Sequence, residues 1–138
     1  MKSKKQFAAL PYVMNGDSVE ICLITSLTTR RWIIPKGWPQ KNLAPHKLAA
    51  LEAFEEAGLK GKTGKKSLGH YHYDKQLDDG SVVDCDVDVF PMRVESQSVD
   101  WPEKGQRDLA WANPKDAAKL LDDAELAKIV RKFQPRAH

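Results

Sequence analysis

Glu52, Glu55 and Glu56 stand at i, i+3 and i+4, a spacing that brings three carboxylates onto neighbouring positions of one helix face. Like charges repel there, and the small residues Ala49 and Ala53 on the same face favour close packing over free solvation. No Lys or Arg lies between Lys47 and Lys60, and Lys47 is poorly placed to neutralise the cluster. A bound divalent ion is the natural counterweight. All-oxygen ligation selects hard cations, and Mg²⁺ is commonly held by one or two carboxylates together with substrate phosphates. The plainer alternative is an acidic, solvated helix end, since Glu-rich helices are common.

The element that must carry these carboxylates runs from Pro45 to Ala57. Proline suits a first helical turn, the stretch is rich in Ala, Leu and Glu, and Gly58 is suited to end it. Upstream, Phe7 to Met14 and Val19 to Leu27 flank Asn15-Gly16-Asp17 and predict a hairpin. Trp32 to Ile34 predicts a short strand that Pro35 and Gly37 stop, delivering the chain into a loop before the helix. Downstream, Leu68 to Gln76 and Ser81 to Met92 predict two long strands joined through Asp78-Asp79-Gly80. Cys85, Val87 and Val89 fall on one face of the second, and Asp84, Asp86 and Asp88 on the other. A last strand at Leu109 to Ala112 leads into a helix opened by Asn113-Pro114-Lys115-Asp116, and a final helix covers about Asp123 to Phe133.

Composition sets the wider frame. With 138 residues, 41% hydrophobic and 30% charged, the chain is expected to form one domain with a single sizeable core and no need of disulfides. Cys22 and Cys85 are not closely paired, which suits a reducing compartment and excludes a CxxC site. Only a short apolar run follows the first residues, so neither a signal peptide nor a membrane span is expected, and a cytoplasmic location is. The net charge of +3 is too small to mark a dedicated nucleic-acid binder. Two local basic groups, Arg30, Arg31, Lys36 and Lys41 and then Lys60, Lys62, Lys65 and Lys66, are nevertheless suited to phosphate. His70 and His72 share a strand face, and with Cys85 or a neighbouring Asp they have the types of zinc ligands, although no spacing supplies a fourth.

From Gly37 to Leu59 the chain resembles the Nudix hydrolase family. The family's box reads Gly, five residues, Glu, seven residues, Arg-Glu, an aliphatic, any residue, Glu-Glu, any residue, Gly and an aliphatic. Gly37, Glu52, Glu55, Glu56, Gly58 and Leu59 match in register; Leu43 stands where the first Glu belongs, Leu51 where the Arg belongs, and Ala53 is a small occupant of the aliphatic position. Trp32 to Pro39 is similar to the segment entering the box in the diphosphoinositol and diadenosine polyphosphate hydrolase branch, and Trp111 to Ala118 is similar to the family's late strand-to-helix segment. The resemblance implies a single α/β domain over 1–138 with the Nudix fold, a mixed β-sheet sandwiched between helices in α/β/α layers, and a box at 37–59.

The resemblance also implies roles. Glu52, Glu55, Glu56 and the Gly37 carbonyl would hold Mg²⁺ or Mn²⁺, with Glu55 and Glu56 catalytic. Glu103, in a later loop, is the candidate for a further catalytic acid, and Arg31 and Lys36 are the candidates for binding substrate phosphates. The Arg missing at Leu51 typically orients a glutamate of the box. The expected activity is metal-dependent hydrolysis of a diphosphate linkage in a small molecule, diadenosine polyphosphates or diphosphoinositol polyphosphates being favoured. The alternative is a catalytically weak Nudix-like module that senses a nucleotide or polyphosphate. RNA is a less favoured partner, through Lys60 to Lys66, and the sequence does not address oligomeric state.

Overall fold

The computed structural model describes residues 3–135. The elements in chain order are β1 (Lys4–Asn15), β2 (Ser18–Thr25), β3 (Trp32–Ile33), β4 (Lys36–Gly37), α1 (Pro45–Ala57), β5 (Leu59–Thr63), β6 (Gly69–Gln76), β7 (Val82–Gln97), β8 (Leu109–Ala112), α2 (Pro114–Leu120) and α3 (Ala124–Lys132). The strands join in one mixed sheet with the path β3-β2-β1-β7-β5; β4 pairs with β1, β6 with β7 and β8 with β2. Only β1 and β7 run parallel among these pairs, from Lys4 opposite Cys85 to Tyr12 opposite Arg93.

Both faces of the central strands are buried, which explains their near-continuous apolar sequences. Ala8 and Leu10 of β1, Ile21 and Leu23 of β2 and Val87 and Val89 of β7 pack beneath α2 and α3. Ala9, Cys22, Ile24, Phe90 and Met92 point the other way and pack against Ala49, Ala53 and Ala57 of α1. Those alanines let α1 lie close to the sheet. This is the α/β/α layering implied by the resemblance, and none of the described helices is long and apolar enough to cross a membrane.

Three strands depart from expectation. β7 continues past Met92 to Gln97 because its extension pairs with β5, and β5 takes up Leu59, Lys60 and Lys62 of the basic segment as a strand. Lys36–Gly37, expected as loop, pairs with Ala8 and Phe7 of β1 as β4. The expected stop at Gly58 is present: its φ of 72° is left-handed, and its N–H bonds back to the carbonyl of Phe54. A Cβ at Gly58 would run into the indole of Trp101. Gly58→Ala is therefore expected to destabilise the fold by about 2 kcal/mol, strain and clash together, read as a lowered midpoint of chemical denaturation.

Candidate active site

Helix α1 presents Glu52 and Glu55 half-buried and Glu56 buried. Glu52 reaches β4, and a Cβ on Gly37 would overlap its carboxylate, so glycine is what permits that approach. The C-terminal end of α1 is held by the chain that follows β7. The Gln97 amide donates to the Ala57 carbonyl at 3.0 Å, Ser98 N–H to Gly58 O at 2.8 Å and Glu103 N–H to Glu55 O at 3.0 Å. The Glu55 and Ala57 carbonyls are thereby satisfied, and the 98–108 loop is fixed against the glutamate face.

That loop brings Arg107 to the carboxylates. Its Nη2 lies 2.9 Å from Glu103 Oε1 and 3.7 Å from Glu56 Oε1, Nε donates to Glu103 at 3.0 Å, and Nη1 donates to the Thr25 carbonyl at 3.0 Å. The side chains of Arg107 and Glu56 are only 9% and 6% exposed, so little solvent screens this pair. Thr25 is fixed in turn, because its hydroxyl accepts from Asp108 N–H and its own N–H donates to the Asp108 carbonyl. The box position that lacks arginine is apolar packing instead: Leu51 lines a shallow groove with Ala50, Phe54, Leu59 and Met92. Sequence reasoning missed Arg107. Its one visible signal was the i, i+4 spacing from Glu103, which does not by itself foretell a bond to a helix distant in sequence.

A cleft of about 880 Å³ opens beside Glu56 and Arg107. Arg31 and Lys36 both line it, as expected of phosphate ligands, together with Trp32, Tyr73 and Lys75. Lys36 Nζ lies over the Tyr73 ring, 4.9 Å from its centroid, and Tyr73 donates to Gln6 Oε1 at 2.6 Å. Glu103 is not among the cleft-lining residues but joins Glu56 through the shared guanidinium. Lys60 and Lys62 do not line the cleft either; Lys60 instead lies over Phe54 on the far side of α1.

The electrostatics mark Glu56 as the most perturbed of the three glutamates. Burial pushes its carboxyl up to about 9, against the pull of Arg107 and Lys36, and neighbouring Glu52 adds to the rise. Glu52 is itself raised, first by burial and then by Glu55 and Glu103. Burial pulls the Lys36 ammonium down to about 8, with Glu56 acting to raise it. A buried carboxylate excess with one guanidinium and one weakened ammonium nearby is well matched to a divalent cation. The donors are all oxygen, which fits Mg²⁺ or Mn²⁺ rather than a thiol- or imidazole-seeking metal.

No family model matches the chain. Among curated proteins it is 27% identical over 120 residues to Nudix hydrolase 12, mitochondrial, of Arabidopsis thaliana, an alignment covering 85% of this chain and 59% of that protein. It is 28% identical over 120 residues to diphosphoinositol polyphosphate phosphohydrolase 3-beta of Bos taurus, covering 86% and 69%. Among solved structures, the Ap4A hydrolase of C. elegans superposes with a TM-score of 0.67 at 19% identity, covering 96% of both chains. The chain thus has the Nudix fold, and its sequence relatives include proteins named as Nudix hydrolases and as diphosphoinositol polyphosphate phosphohydrolases. It spans under 60% of the length of the Arabidopsis relative.

Two outcomes test this geometry. Arg107→Leu strips Glu56 and Glu103 of their shared guanidinium, and because Glu56 already holds its proton a loss of about 2 kcal/mol in unfolding free energy is expected. Because the folded protein keeps a proton on Glu56 that the unfolded chain has released, stability should fall as pH rises between about 5 and 8, below the range where Lys36 acts oppositely. In chelator, Glu56→Gln should remove that component, so its melting temperature should gain on wild type by at least about 3 °C across the window.

Proposed function

We propose that the chain is a divalent-cation-dependent hydrolase of a diphosphate linkage. The observation that carries this reading is the meeting of α1 and the 98–108 loop: Arg107 links Glu56 to Glu103, and Glu56 and Arg107 line a cleft with Arg31 and Lys36. A diphosphate is anionic and repels hydroxide, so its cleavage needs charge neutralised at phosphate oxygen and a water activated and aligned. Glu52, Glu55, Glu56 and the Gly37 carbonyl are the groups proposed to hold Mg²⁺ or Mn²⁺, which when bound supplies Lewis-acid stabilisation of the phosphate oxygens.

The remaining chemistry belongs to the chain's own side chains. Arg31 and Lys36 bind and orient the phosphates. Arg107 holds Glu56 and Glu103 in fixed relation and takes over the orienting role that an arginine at position 51 would have. Glu103 accepts the proton of the attacking water as the phosphorus–oxygen bond to the leaving group breaks.

The cleft also favours one substrate over another. Its basic residues are Arg31, Lys36, Lys75 and Arg107, against the acids Glu56, Asp74, Asp78, Asp122 and Asp123. An inositol ring phosphorylated on every side would meet several of those carboxylates. A dinucleoside polyphosphate concentrates its charge in one chain and offers bases to Trp32 and Tyr73. Diadenosine polyphosphates are therefore preferred here over diphosphoinositol polyphosphates. The absence of Lys60 and Lys62 from the cleft gives RNA no comparable support, and the buried free thiols of Cys22 and Cys85 suit a reducing compartment such as the cytoplasm. A single domain over 1–138 remains part of this reading.

Product analysis across diadenosine polyphosphates, diphosphoinositol polyphosphates, ADP-ribose, nucleoside triphosphates and 5′-triphosphorylated RNA, with Mg²⁺ or Mn²⁺, tests the proposal. Cleavage of a diadenosine polyphosphate, reduced at least about 100-fold in Glu56→Gln, is expected. Tight binding of a panel compound without turnover would favour the sensor module instead.

A further inference from the structure

On the α1 face of the sheet, outside the set of residues that line the cleft, three side chains converge from two strands. His70 and His72 project from β6, and Asp86 stands directly opposite His72 on β7. His70 Nδ1 is 2.8 Å and His72 Nε2 3.6 Å from the same atom, Asp86 Oδ1, and no separation among the three ligand atoms exceeds 4.8 Å. Each of two members is also held from behind. Glu125 of α3 accepts the His72 backbone N–H at 2.9 Å and lies 3.5 Å from the other ring nitrogen of His72, while Lys5 of β1 holds Asp86 Oδ2 at 3.0 Å.

We propose that His70, His72 and Asp86 form a second metal site, selective for a borderline transition ion such as Zn²⁺ or Ni²⁺. Two imidazoles and one carboxylate select such ions over Mg²⁺, and three protein ligands leave a fourth position to water. Ligand atoms on a tetrahedral Zn²⁺ are roughly 3.3 Å apart, given bonds of about 2.0–2.1 Å, so closing the site asks only for small rotations of two exposed rings. Glu125 and Lys5 supply the outer partners that fix a ligating histidine and carboxylate. Cys85, the other ligand that the sequence suggested, points to the opposite face and is buried in the core. The ion would clamp β6 to β7, and β6 carries on its other face Tyr71 and Tyr73, part of the cleft wall.

The test is calorimetric titration of chelator-stripped protein with Zn²⁺ alone and Mg²⁺ alone, on wild type, His72→Asn, Asp86→Asn, Glu125→Gln and the Glu52→Gln/Glu56→Gln pair, with circular dichroism confirming each fold. One Zn²⁺ should bind with an affinity that falls about 100-fold in His72→Asn and Asp86→Asn and about tenfold in Glu125→Gln. The glutamine pair should keep that Zn²⁺ while losing Mg²⁺, which separates this site from the α1 carboxylates whatever their activity. Equal Zn²⁺ binding by His72→Asn and wild type, or none in wild type, overturns the proposal and leaves a cross-strand ion-pair cluster.

Discussion

A carboxyl group at the buried end of α1 has to be accommodated, and the site is arranged around that requirement. Glu56 is almost wholly removed from water, and burial alone would keep it protonated. The Arg107 guanidinium, anchored by Glu103 and the Thr25 carbonyl, offsets part of that penalty and holds the group in one place. Arg107 does not bring Glu56 back to its ordinary range, because it also serves Glu103 and because Glu52 stands nearby. A divalent cation would take the place of the proton that Glu56 keeps without it.

The same anchoring shapes the fold. The 98–108 loop closes the end of α1 through Glu55 and Gly58, next to the bond from Gln97 of β7 to Ala57, and packs Trp101 onto Gly58. It also returns the chain to β8, which pairs with β2 beside Thr25. One loop thus satisfies helix carbonyls, supplies the guanidinium and carries Glu103. The two glycines at the ends of the motif serve contacts as much as turns: Gly37 makes room for the Glu52 carboxylate, and Gly58 adopts a left-handed φ beneath an indole.

Local features were legible in the sequence. Helix α1 shows its proline start, its alanine face and its glycine stop, and β7 shows its alternation of Cys85, Val87 and Val89 with aspartates. The N-cap at Asn113 is present as read, accepting from Asp116 N–H at 2.8 Å. What escaped depends on pairing across the sheet. β4 is two residues long and exists only because β1 lies beside it, and β5, with a lysine at every second position, is a strand because β7 extends to meet it. The departure at Leu51 was visible, but its remedy was not, since Arg107 meets Glu56 from a loop far along the chain. Among the candidate residues, the structure brings Glu52, Glu56 and Glu103 together and lines one cleft with Arg31 and Lys36. It places Glu55 beside them on α1, its carbonyl bonded to the 98–108 loop.

The central claim is that the α1 carboxylates, braced by Arg107, hold a divalent ion. Electron paramagnetic resonance of Mn²⁺ titrated into wild type, Glu56→Gln and Arg107→Leu measures this without any substrate. Bound Mn²⁺ in wild type, weakened at least about tenfold in each variant, is the result expected. Mn²⁺ binding unchanged in Glu56→Gln, or absent from wild type at millimolar ion, would contradict the account.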